Sequence, residues 1–109
     1  MDYKITYDPK VIKTLEEIYN YILEHFQSEQ AAQKKINSII ENISSLKTFP
    51  EAGFNADEKF GLLIDSKYKT RGLTLKKDYI ALYIVDHENK VVLITYLLAT
   101  KSDYMKLFK

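Results

Sequence analysis

Chemistry in this chain would have to come from cations and phenols. Lys67, Lys69, Arg71, Lys76, Lys77 and Lys101 stand with Tyr68, Tyr79, Tyr83 and Tyr104 in the C-terminal half. Such groups hold phosphates, and their aromatic members stack on bases. Cleaving RNA needs in addition a general base near the 2′-OH and a cation where charge develops on phosphorus. No strong base stands among them. Tyr79 and Tyr83 share one strand parity, which suits core or cross-strand packing. Arg71, the only arginine, fits either a site or a surface ion pair. His25 falls near the end of a helix, where the dipole favours a cation, and His87 falls in a charged turn; both read as ordinary surface residues. No HxxE, HExxH or paired-carboxylate spacing marks a metal site. Three scattered glycines make no phosphate loop, and no cofactor is expected.

The elements that must position these groups follow from periodicity. Tyr3 to Tyr7 alternates aromatic and polar residues, as a half-buried strand does. Asp8 followed by Pro9 starts a helix, the carboxylate accepting from orphan backbone N–H groups and the proline suiting the first helical position. Val11, Leu15, Ile18 and Ile22 then recur at helical steps, predicting an amphipathic helix over about 9–26. Ser28 caps a second helix carrying Ala32, Ile36, Ile39, Ile43 and Leu46 on one face, which Phe49 and Pro50 stop. The join at Gln27 and Ser28 is so short that the helices must run antiparallel, as a hairpin. Pro50 to Gly61 reads as the one substantial loop. Beyond it, Tyr68–Leu75, Tyr79–Val85 and Val91–Ala99 read as three antiparallel strands joined by turns at 76–78 and 86–90. Ser102 to Phe108 reads as a short terminal helix.

The fold class expected is therefore α+β: an N-terminal strand, an antiparallel helical hairpin on one face of an antiparallel sheet of about four strands, and a short C-terminal helix. At 109 residues and 46% apolar content, one domain spanning 1–109 is expected, and disorder is excluded. The last two strands are apolar at both parities, and the hairpin covers only one face. The other must be covered by a C-terminal segment or a separate chain.

No Cys is present, which removes disulfides, thiolate metal sites and thiol nucleophiles and fits a cytoplasmic protein. Met1 to Pro9 lacks a hydrophobic signal core, and no apolar run approaches the roughly 20 residues that span a bilayer. No membrane partner is expected. Net charge of +1 hides an asymmetry: six Lys against ten Asp/Glu up to Glu58, then ten Lys/Arg against five Asp/Glu beyond it. The basic half can meet an acidic partner, although the charge falls short of a dedicated nucleic-acid binder.

Strand, helical hairpin, loop and meander also carry recognisable wording: YKITYDP, LEEIYNYI, SEQAAQKKI, ISSLKTFPEAG, DYIALYIVD and TKSDYMKLF, from residue 3 to 108. In this order and spacing they resemble the RelE/ParE toxins of bacterial type II toxin–antitoxin systems. The resemblance implies a compact toxin gripped by a small cognate antitoxin of the ParD/RelB kind, with operator DNA contacted only through that antitoxin. It implies one of two targets: RelE- and YoeB-like members cut messenger RNA on the ribosome, whereas ParE-like members inhibit DNA gyrase.

Departures from the nuclease pattern bear on that choice. The Arg that follows the strand Tyr in nuclease members falls here at Ile80, and an aliphatic chain cannot stabilise phosphorane charge. A second basic position falls at Leu73, while Arg71 keeps a cation. Near the C-terminus the nuclease Arg or His falls about Thr100, beside Lys101, and the catalytic Tyr corresponds loosely to Tyr104. The catalytic set for RNA cleavage would thus be Arg71, Lys101 and Tyr104. The reading favours a ParE-like gyrase inhibitor, with a target-contacting surface drawn from Lys69, Arg71, Tyr79, Lys101, Asp103 and Tyr104. A ribosome-dependent, metal-independent endoribonuclease is the alternative, and an inactive interaction module a further one.

Overall fold

The computed structural model describes residues 2–102 and 104–108. Strand β1 (Lys4–Tyr7) leads into helices α1 (Pro9–Phe26) and α2 (Glu29–Ser44). Asp8 caps α1 by accepting from the Lys10 N–H, and Ser28 caps α2 by accepting from the Ala31 N–H. Between them Gln27 takes a left-handed conformation (φ 49°), which ends α1 and turns the chain back within two residues. α2 stops earlier than its apolar spacing suggests, and Leu46 falls in a 3₁₀ turn, Ser45–Lys47. The Ser44 and Ser45 hydroxyls bond back to the carbonyls of Glu41 and Asn42, where the helix tightens.

The loop expected over 50–61 is more structured than its composition suggests. It contains a two-residue strand, β2 (Phe54–Asn55), and a helical turn, α3 (Ala56–Phe60), capped by the Asn55 side chain. β3 (Arg71–Leu75), β4 (Tyr79–Asp86) and β5 (Val91–Ala99) complete the sheet, in the order β1-β5-β4-β3-β2. The expectation of about four antiparallel strands is corrected on two points. β2 adds a fifth strand, and β1 runs parallel to β5. Parallel pairing arises because β1 and β5 meet only after the hairpin and meander have reversed the chain an even number of times. The strand expected over Tyr68–Leu75 also starts later, at Arg71, since the Asp65 carboxylate captures the N–H groups of Lys67 and Tyr68 in a turn.

The helical hairpin covers one face. Val11, Leu15 and Ile18 of α1 and Ile39 and Ile43 of α2 close on Leu75, Ala81, Tyr83, Val92, Ile94 and Leu97. Each buried aliphatic side chain contributes about 1.5–3 kcal/mol relative to exposure. Neither helix could bury its stripe without the other and the sheet. A bulge explains why β5 is apolar at both parities. Leu82 opposes Tyr96 while Tyr83 opposes Ile94, so Thr95 is the extra residue, its hydroxyl donating to the Leu82 carbonyl. Before it Val92 and Ile94 face the hairpin; after it Leu97 does, and Tyr96 and Leu98 turn to the opposite side.

That opposite side is covered by the chain itself. Ile80, Leu82, Leu98 and Ala56 are buried there beneath Phe54, Phe60, Ile64, Tyr96, Tyr104 and Phe108. The terminal segment forms a 3₁₀ turn, Tyr104–Phe108, whose rings meet Phe60 at 5.8 Å (Tyr104) and 6.5 Å (Phe108) between centroids. Of the two covers expected, the terminal segment is used, together with α3, over the part of this face around Ile80, Leu82 and Leu98, while Ile84, Val91 and Leu93 border a cleft of about 230 Å³. No helix among the described residues is long and apolar enough to cross a membrane.

Candidate functional site

Lys69 and Arg71, two of the residues singled out from sequence, line one cleft at the end of the sheet where β3 begins. Glu51, Lys67, Tyr68, Val85 and His87 complete its wall, around a volume of about 420 Å³. Two carboxylates shape the segment that delivers the cations. Asp57 accepts from the N–H groups of Ile64 and Thr70, pinning both ends of the loop after α3. Asp65 accepts from Tyr68 and Lys67, and those two backbone bonds hold its carboxyl below the usual Asp range.

Arg71 is held from behind. Its Nη1 donates to the Gly53 carbonyl at 3.0 Å and to the Glu51 carbonyl at 3.4 Å. Gly53 in turn donates its N–H to the Tyr83 hydroxyl at 2.9 Å. This approach requires glycine: a Cβ at residue 53 would lie 2.6 Å from the Tyr83 oxygen and 2.5 Å from the Gly72 carbonyl. Tyr83 is fully buried, and burial pushes its phenol pKa up, opposed by the Gly53 N–H and the Arg71 charge. It is a structural tyrosine.

Beside Arg71 three groups far apart in sequence meet. The Tyr3 hydroxyl lies 2.7 Å from His87 Nδ1, and His87 Nε2 lies 3.0 Å from Glu51 Oε1. A carboxylate only accepts, so Nε2 carries a proton, and in the neutral ring Nδ1 accepts from Tyr3. Carboxylate, imidazole and phenol thus form a chain along which a proton can pass, next to a fixed cation. In the sequence His87 reads as a turn residue, and Glu51 and Tyr3 carry no site signal. No spacing signal could have paired them, because residues 3, 51 and 87 come together only when β1, the loop after α2 and the β4–β5 turn are packed.

The remaining candidates lie elsewhere. Arg71 pairs with Tyr83 and Leu75 with Tyr79, so Tyr79 sits at the far end of the β3–β4 ladder, about 13 Å along the strand. It borders a smaller cleft of about 250 Å³ with Tyr21 and Leu97, and burial raises its phenol pKa. Lys101 lies at that same far end, where its charge acts on Asp78; the Lys35 ammonium, 2.7 Å from Asp78, is the larger cause of that carboxyl's lowered pKa. Tyr104 packs against Phe60 on the face opposite the hairpin. Asp103 lies outside the described residues. The geometry therefore joins Lys69 to Arg71 and leaves Tyr79, Lys101 and Tyr104 in other places. Among the described residues no group of three or more His, Asp or Glu side chains gathers to hold a metal.

Comparison with known proteins agrees with this architecture. A family model described as the ParE toxin of the type II toxin-antitoxin system parDE matches residues 5–104. Among solved structures, one titled as a chromosomal ParDE toxin–antitoxin system from P. aeruginosa is similar, with a TM-score of 0.70 and 18% identity, over 91% of this chain and 97% of that one. An archaeal RelE–RelB complex from Pyrococcus horikoshii OT3 is similar with a TM-score of 0.56 and 20% identity, over 93% and 98% of the two chains. No curated protein matches the chain. With the strand, helical hairpin and meander in place and nearly the whole chain matched, this protein belongs to the ParE toxin family of type II toxin–antitoxin systems.

Proposed function

We propose that this toxin acts by binding rather than by cutting RNA, that DNA gyrase is its target, and that a small ParD/RelB-like antitoxin neutralises it. The observation that carries the reading is the separation of the nuclease candidates. Arg71 is tied to the loop carbonyls at one end of the sheet, Lys101 stands near Asp78 at the other, and Tyr104 packs on the opposite face. Acid–base cleavage needs its groups within hydrogen-bond reach of one phosphate, which these three do not meet. A binding surface needs no such convergence. Support for an antitoxin comes from the similar solved structures, whose titles describe a ParDE system and a RelE–RelB complex. On this chain α1 offers it a footing, since Ile12, Tyr21 and Phe26 remain exposed there.

The test compares two readouts on one protein. Purified toxin at micromolar concentration is expected to block gyrase supercoiling or trap its cleavage complex, and its expression is expected to leave translated messages uncut. Unchanged supercoiling together with no trapped cleavage complex would reject the gyrase assignment. Codon-associated cleavage in cells would move the reading to the ribosome-dependent endoribonuclease, with Arg71 and the His87 chain as the first groups to substitute.

A further inference from the structure

The cationic cleft does not end at His87. A second cleft of about 530 Å³ adjoins it, sharing Glu51 and His87 and walled by Phe49, Pro50, Ala52 and Tyr3. We propose that the two form one groove that takes an extended acidic peptide, with an apolar anchor against Phe49 and carboxylates on Lys67, Lys69 and Arg71.

The argument is charge complementarity joined to an apolar pocket. The Lys and Arg ion pairs among the described residues are Lys10–Asp8 and Lys35–Asp78, and Glu51 is taken up by His87 Nε2. Lys67, Lys69 and Arg71 are in none of them. Arg71 uses only Nη1 toward the loop, so its Nε and Nη2 donors stay available for a carboxylate fork. Asp86 feels the Lys67 charge but is itself bonded to Asn89. Asp65 also feels Lys67, while its oxygen accepts from the backbone of Lys67 and Tyr68. Lys69 and Arg71, with no ion pair among the described residues, and Lys67, whose charge reaches carboxylates already bonded elsewhere, thus line one concavity. In the adjoining half Phe49 is 66% exposed, a large apolar ring left against a cleft wall. Such a ring is a natural seat for an anchor side chain.

Glu51 decides between a peptide and a nucleic acid. Its carboxylate, 3.0 Å from His87, sits where the two halves meet. A single strand of nucleic acid repeats its phosphate at every residue and would have to carry one past this negative charge. A peptide places its charges only where its sequence puts them, and can cross the junction neutral. The inference holds whichever target the toxin poisons.

Fluorescein-labelled Phe-Ser-Glu-Asp-Glu-Asp and the reversed sequence, titrated with the whole protein by fluorescence anisotropy, test it. One of the two orders is expected to bind saturably below about 1 mM and to weaken at least about tenfold on raising salt from 0.05 to 0.5 M. Lys69→Glu and Phe49→Ser change exposed side chains and are expected to weaken binding about tenfold each, with melting temperature unchanged. Lys35→Glu, at the far end of the sheet, is expected to leave binding alone. The proposal is overturned if neither order binds, if binding ignores Phe49→Ser or Lys69→Glu, or if a thymidine hexanucleotide binds more tightly than either peptide. Should a variant fail to fold, two wild-type measurements decide: salt sensitivity and discrimination against a peptide with Ser in place of Phe.

Discussion

Replacing Tyr83 by Phe isolates one buried hydroxyl and tests how the cleft is held. The Tyr83 ring packs in the main core at 0% exposure and remains in the variant. Only the oxygen that accepts the Gly53 N–H at 2.9 Å is removed. Gly53 is itself buried and pressed against the Gly72 backbone, so its N–H has no route to water. An orphaned buried donor costs about 1–3 kcal/mol, rather than the smaller net value of an average hydrogen bond. For a chain of this size each kcal/mol moves the midpoint by about 4–5 °C, so Tyr83→Phe should lower Tm by about 4–13 °C. Loosening should spread to the neighbouring carbonyl that anchors Arg71. Amide exchange should therefore rise more at residues 51–53 than in α1, where it rises only by the global loss. Thermal unfolding with two-state urea titration measures the first effect, and hydrogen exchange the second. A loss below about 0.5 kcal/mol, or exchange rising uniformly through the protein, would refute the view that this hydroxyl secures the loop.

Other outcomes follow from the same geometry. Thr70 is 1% exposed and its hydroxyl has no partner, so Thr70→Val should leave stability unchanged or raise it by up to about 1 kcal/mol, read by urea midpoint. Lys76 and Lys77 both hold positive φ (48° and 70°) in the β3–β4 turn, where Asn-Gly is the favoured pair; Lys76→Asn with Lys77→Gly should raise stability by about 1–2 kcal/mol in the same assay. Asp65, Asp78 and Asp86 all have native pKa values below the ordinary one, through backbone bonds, the Lys35 ammonium and Asn89 respectively. Their contribution is complete above the unfolded Asp value near 3.9 and is lost as pH falls through the lower native values. Stability measured from pH 5 to 2 should fall, and Asp78→Asn should shallow that fall.

Local grammar was legible where a single segment carries its own reason. The bounds of α1 follow from Asp8-Pro9 and the stripe Val11, Leu15, Ile18; β4 and β5 follow from their apolar runs; the two-residue link forces the hairpin. Capping, helical spacing and strand enrichment are properties of neighbouring residues, so one dimension suffices to read them. The family was legible for a related reason, since order and spacing of these segments survive as text.

Packing decided the rest. That β1 joins β5 in parallel, and that Thr95 bulges to turn Tyr96 and Leu98 away from the hairpin, depends on register between strands, which no single strand encodes. Which cover the far face takes was not legible, because Phe54, Phe60, Tyr104 and Phe108 come from two short segments more than forty residues apart. The cleft arises in the same way. Lys69 and Arg71 stood out by type, but Tyr3, His87 and Glu51 acquire their meaning only from a contact spanning 84 positions and a second one of 3.0 Å between His87 Nε2 and Glu51 Oε1. Residue type limits what a group can do, and tertiary contact selects which groups act together, because proton transfer and ion pairing fall away within a few ångströms while chain distance says little about proximity in space.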